Sequence, residues 1–275
     1  MKIDKEFHYQ ELKLLVHKIL QLPEVEKIKI RENEIVSVDE DALIRQSVED
    51  CYHDVLSDLD VGIHVKINPK DRLGYATNPQ RLGFTREKCL GLAIVDQENY
   101  CQYRVIQKNG MRYDIGFYIS EDENAPIYNI GIDPPKPIKE EGNFWPRWEL
   151  EKADMFWFEQ VHAIAKLYRG DYLIADHLAN MQINETLVAQ MIERDNRYGI
   201  NFHRYGDKEC LEYLQSKLMN SSLRMKDETF QMIAEKIYQA GAAYDELIQR
   251  LNPEYSERLP ILWELWLEYD QYEWE

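Results

Sequence analysis

Asp58, Asp60 and Asp114 are the residues whose types and spacing carry the most chemistry. The run Ser57-Asp58-Leu59-Asp60 leads directly into the β-rich stretch VGIHVKI. In an extended strand successive side chains alternate faces, so Asp58 and Asp60 share one face about 7 Å apart while Leu59 turns to the core. Two carboxylates so placed make half of a site for a hard divalent cation. Asp114 lies within the otherwise apolar run MRYDIGFYI, where an unpaired charge is costly to bury. If its strand lies beside the first, the three acids converge, repel one another and call for a cation such as magnesium. A strand-entry turn carrying two surface acids has the same spacing, so the pattern gains force from the elements around it.

Those elements change character along the chain. Residues 5–20 bring Phe7, Leu12, Leu14, Leu15, Ile19 and Leu20 close to helical spacing and predict an opening amphipathic helix. From about 42 to 119 the texture becomes β-rich: ALIRQSV, LDVGIHVKI, YCQYRVIQ and MRYDIGFYI read as strands. The Lys108-Asn109-Gly110 step joins the last two as a hairpin. NPQRLGFTREKCLGLA, between the second and third runs, reads as a helix or an irregular loop. Pro126, Pro134, Pro135, Pro137 and Pro146 fall among acids and glycine, which is connector chemistry. Beyond them four long segments show apolar residues at three-to-four spacing and read as helices. The expectation is an α+β fold, with a mixed sheet flanked by helices over 1–143 and a helical bundle over 144–275.

Composition narrows the function classes. No window approaches the ~18 apolar residues of a membrane span, and the start MKIDKEFHYQ has no apolar run behind a basic end. Cys51, Cys89, Cys101 and Cys210 lack C-x-x-C spacing, so zinc and a disulfide framework are disfavoured. A cytoplasmic protein with no membrane partner is expected. The net charge of −17 would repel a long phosphate backbone, which argues against a nucleic acid and suits a small or cationic substrate. Acids outnumber bases by 25 to 19 over residues 1–140 and by 25 to 14 over 141–275, so the helical half is the more acidic.

The order of these parts resembles the nucleotidyltransferases of the polymerase-beta-like superfamily. That family carries a Gly-Ser, then a D-x-D on a strand, then a third Asp on a later strand. Here Ser47 precedes Asp58 by eleven positions, and Asp114 matches the third carboxylate. FWFEQVHAIAKLYRGDYLIADHLAN and DNRYGINFHRYGDKECLEYL resemble the helical half of the aminoglycoside adenylyltransferases, the streptomycin 6-modifying branch above all. The family's glycine is Gln46 here, which narrows the pocket, and Glu49, Asp50 and Asp54 add acids beside it.

The resemblance implies a catalytic and metal-binding set of Asp58, Asp60 and Asp114 holding two Mg2+ ions, with ATP as co-substrate. It implies transfer of an adenylyl group to a hydroxyl of a small molecule, possibly an aminoglycoside antibiotic, by a monomer or homodimer. Gln46, Ser47 and Ser57 would bind the nucleotide, and Lys166 and Arg169 would meet its phosphates. The last two would equally suit solvent-exposed bases. His162, one turn before Lys166, together with Tyr198 and Arg204, would line the cleft, or serve as a core histidine and an interhelical turn. The aromatic end with Trp263, Trp266 and Tyr269 reads as core or a dimer contact. The alternative function is a catalytically impaired nucleotide-binding protein, or a non-catalytic relic of the same fold, for which Gln46 is the best support.

Overall fold

The computed structural model describes residues 3–133, 136–201, 208–219, 223, 224 and 226–272. Its contacts divide the chain into two units, Met1–Pro135 and Lys136–Glu275. The first unit opens with helix α1 (Lys5–Ile19), whose N-terminus is capped by Asp4 accepting from the Phe7 amide at 3.0 Å. Strands β1 (Val25–Ile30) and β2 (Asn33–Ile35) follow, then helix α2 (Asp41–Cys51) and strand β3 (Leu59–Ile67). The short helix α3 (Arg72–Thr77) precedes strands β4 (Cys89–Gln97), β5 (Tyr100–Gln107) and β6 (Arg112–Glu121).

The six strands form one sheet in the order β2-β1-β3-β6-β5-β4, antiparallel throughout except for the parallel pair β3–β6. Along β3 the even alternation buries Val61, Ile63, Val65 and Ile67 and leaves Asp60 and Lys66 exposed. The buried set joins Leu12, Val16 and Ile19 of α1 and Ile44 and Val48 of α2 in one core. One face of the central strands is thereby spent on packing, and the other carries the polar side chains.

In the second unit, α4 (Leu150–Tyr168), α5 (Tyr172–Tyr198), α6 (Lys208–Gln215), α7 (Glu228–Leu251) and α8 (Leu259–Gln271) supply the expected helical texture. Phe156 stacks on Tyr244 at 3.6 Å, and the buried Arg258 meets Asp154 at 2.6 Å. Trp266 and Tyr269 are core residues, with Trp263 edge-on to Trp266. The whole is an α+β fold, and none of the described helices is long and apolar enough to cross a membrane.

Two elements differ from the sequence expectation. Residues 42–48 are part of a helix rather than a strand, because Ile44, Ser47, Val48 and Cys51 turn inward at spacings of three and four. The segment 78–93 supplies a short 3-10 turn over Pro79–Leu82 and then the first residues of β4.

Candidate functional site

The Ser57–Asp60 run is delivered by a tight turn. Ser57 is buried, and its hydroxyl oxygen accepts from the amides of His53 at 2.8 Å and Asp54 at 2.9 Å. Asp54 in turn accepts from the Leu56 amide at 2.7 Å. These bonds fix where β3 begins, and so where Asp58 and Asp60 stand. Ser57 acts here as the latch of the turn, with its hydroxyl directed at backbone donors.

The parallel register then brings the acids together. Asp60 lies opposite Asp114, Gly62 opposite Gly116, and His64 opposite Tyr118. On the far side of β6, Arg104 faces Asp114, Gln102 faces Gly116, and Tyr100 faces Tyr118. Asp114 accepts from the Gln102 amide nitrogen at 2.5 Å and meets Arg104 Nε at 3.5 Å. Asp58 meets the buried guanidinium of Arg112 at 3.8 Å, and Arg112 also donates to the Leu56 carbonyl.

The electrostatics follow from this crowding. Asp60 keeps solvent contact, yet partial desolvation by the sheet around it pushes its carboxyl above the ordinary range, and the charge on Asp58 adds to the effect against the opposing pull of Arg31. Asp114 is likewise raised, by burial first; Arg104 opposes it, while Asp58 and Asp60 reinforce it. Asp114 thus feels both other acids of the trio, and Asp60 feels Asp58. Arg31 sits in the β1–β2 turn at a positive φ of 54° and also bonds the Cys51 thiol, whose own pKa burial raises.

Among the described residues no group of three or more His, Cys, Asp or Glu side chains is arranged to hold a metal ion. A closed, protein-only cage is therefore not what the trio forms. Magnesium, however, is commonly held by one or two carboxylates together with substrate phosphates and water. Asp60 and Asp114, opposed across neighbouring strands, are the two carboxylates that such an open site would use.

The remaining sequence candidates fall elsewhere. Ser47 lies inside α2, fully buried, donating to the Leu43 carbonyl at 2.8 Å and accepting from Asn33 at 3.1 Å. Gln46 is exposed on the same helix and donates to Asp50 at 2.8 Å. Lys166, on α4, pairs with Asp171 at 3.2 Å, and Arg169 caps that helix. His162 has Glu159 beside it at 3.5 Å. Tyr198 ends α5, exposed, under the Arg197 guanidinium. These four belong to the second unit, and Arg204 lies outside the described residues.

Arg31, Gln102, Arg104 and Arg112, the cationic and amide partners of the acids, stand out by no motif in the sequence. For Gln102 and Arg104 a signal was present. Pairing outward from the Lys108-Asn109-Gly110 turn aligns Arg104 with Asp114.

No protein-family model matches the chain, and no curated protein does. Among solved structures the chain is similar to an aminoglycoside 6-adenyltransferase from Bacillus subtilis. The two share 10% identity with a TM-score of 0.36, over 96% of this chain and 99% of that one.

Proposed function

We propose that this chain is a magnesium-dependent nucleotidyltransferase that moves a nucleotidyl group, adenylyl in the first instance, onto a hydroxyl of a small molecule. The observation that carries the reading is the Asp60–Asp114 pair on the open face of a parallel strand pair, with Asp58 just ahead of it. The motif resemblance of Asp58, Asp60 and Asp114 points the same way.

In this reading Asp60 and Asp114 would hold magnesium together with the nucleotide's phosphates. When bound, magnesium offsets charge on the phosphate oxygens and acidifies the acceptor hydroxyl. Gln102 and Arg104 orient the Asp114 carboxylate, and Arg112 orients Asp58. The acceptor hydroxyl attacks the α-phosphorus, pyrophosphate leaves in line, and the hydroxyl proton passes to a carboxylate of the site. An aminoglycoside is the acceptor proposed, since a polycation suits a chain of net charge −17.

Isothermal titration of ATP with and without magnesium tests this reading. Binding that needs magnesium and is lost in Asp60→Asn supports it; no binding at millimolar ATP sinks it. A pyrophosphate-release assay against aminoglycosides and lincosamides then addresses the acceptor. The second reading, a non-catalytic relic, is favoured by Ser47, whose hydroxyl is tied into α2. That reading expects magnesium-dependent ATP binding with no pyrophosphate release for any acceptor.

A further inference from the structure

Beyond the carboxylates, the open sheet face continues as an ordered ladder. Along the β3–β6 pair come the acids Asp60 and Asp114, then the glycines Gly62 and Gly116, then the rings His64 and Tyr118. The acid row and the ring row are four residues apart, about 13 Å along the strands. His64 and Tyr118 stack at 5.0 Å with an interplanar angle of 18°, and Tyr100 lies 5.5 Å from Tyr118 on the other side.

The rings lean back over the glycines, toward the acids. A Cβ on Gly62 would stand 3.1 Å from Tyr118 Cε2, and one on Gly116 would stand 2.8 Å from the Tyr100 hydroxyl oxygen. Side chains at either position would lift the rings away, so the glycines are what let the aromatic surface begin directly beside the carboxylates. Tyr118 nevertheless keeps 51% of its surface exposed. Tyr118 thus packs on His64, Tyr100 and the Gly62 backbone and still offers ring surface to solvent on the face that carries the acids.

From this juxtaposition we infer that Tyr118, backed by His64 and Tyr100, is the stacking platform for the base of a nucleoside triphosphate whose phosphates lie at Asp60 and Asp114. The inference rests on the nucleotidyl-transfer reading of the carboxylate end and deepens it. The charges favour a nucleotide here over a cationic acceptor. Lys29 is the register partner of Gly62 and Lys27 of His64 on one flank, and Arg104 stands on the other. Lys27 is paired with Glu34 at 2.7 Å and Arg104 with Asp114 at 3.5 Å, so Lys29 is the basic group of this border that would meet a phosphate. Stacking on a ring is indifferent to base identity, so ATP and GTP should bind within a few-fold of each other.

The test titrates magnesium-ATP and magnesium-tripolyphosphate into the wild type, Tyr118→Ala, Tyr118→Trp and Asp60→Asn. The expected pattern is an ATP affinity about tenfold weaker in Tyr118→Ala, tripolyphosphate affinity unchanged, and ATP affinity restored in Tyr118→Trp. Asp60→Asn should weaken both ligands, which separates the carboxylate reading from the platform. If Tyr118→Ala leaves ATP binding unchanged, or weakens tripolyphosphate equally, the platform is overturned while the carboxylate reading stands. A wild type that binds neither ligand overturns both.

Discussion

Asp60 is held at a cost that a change of pH exposes. Partial desolvation and the nearby Asp58 charge raise its pKa, with Arg31 in partial opposition. A carboxyl whose pKa is raised by folding binds its proton more tightly in the folded state than in the unfolded chain. Its ionisation therefore removes stability as pH climbs from the ordinary carboxylate range through the raised value, and the loss is complete above that. Asp60→Asn should melt higher than the wild type at neutral pH, by about 1 °C given solvent screening of an exposed carboxylate. The gap should close at about pH 3, where the wild-type carboxyl is protonated too. Scanning calorimetry at the two pH values checks this, and a variant that melts lower at neutral pH contradicts it. The aspartates were legible in the sequence because a charge in an apolar strand stands out. Arg31 was not, because its approach to Asp60 is made by the β1–β2 turn, and neither of those strands was anticipated.

The sheet positions the site through register, and register depends on what each strand position lacks as much as on what it carries. Gly116→Ala places a methyl group 2.8 Å from the Tyr100 hydroxyl oxygen and 2.9 Å from its Cε2. The ring must move, at a cost of about 1–2 kcal/mol. Adding Tyr100→Ala should relieve most of that cost, so urea denaturation of the single and double variants should be strongly non-additive; simple additivity would show that the glycine is there for another reason. In the helical unit Asp154→Ala should cost about 3–5 kcal/mol, because Arg258 stays buried without that carboxylate, whereas replacing both residues by apolar ones should cost far less. Most of this layer could be read from periodicity: α1, the β5–β6 hairpin and the four long helices all follow their apolar spacing. α2 was misread as a strand because ALIRQSV is short and rich in branched residues. Its helical face shows only once the window extends to Cys51. The same reading places Ser47 in a strand as a nucleotide-binding residue, whereas it is buried inside the helix.

Charge acts across the entire chain, and it allows a specific site to be told apart from a diffuse field. At −17 the folded protein repels itself, and its many exposed ion pairs offset little of that repulsion. Raising sodium chloride from about 10 mM to about 150 mM shortens the Debye length from about 30 Å to about 8 Å and should raise the melting temperature of every variant alike. Magnesium at matched ionic strength should do more, because a cation that binds only the folded state adds stability by mass action. On the proposed reading that excess comes from Asp60 and Asp114, which lie opposite each other across β3 and β6. It should shrink in Asp60→Asn and Asp114→Asn, yet persist in Glu264→Gln, an exposed acid of α8. A magnesium increment equal in all four proteins would reduce the ion to general screening, and the acid pair would then be a feature of the sheet with no cation to hold.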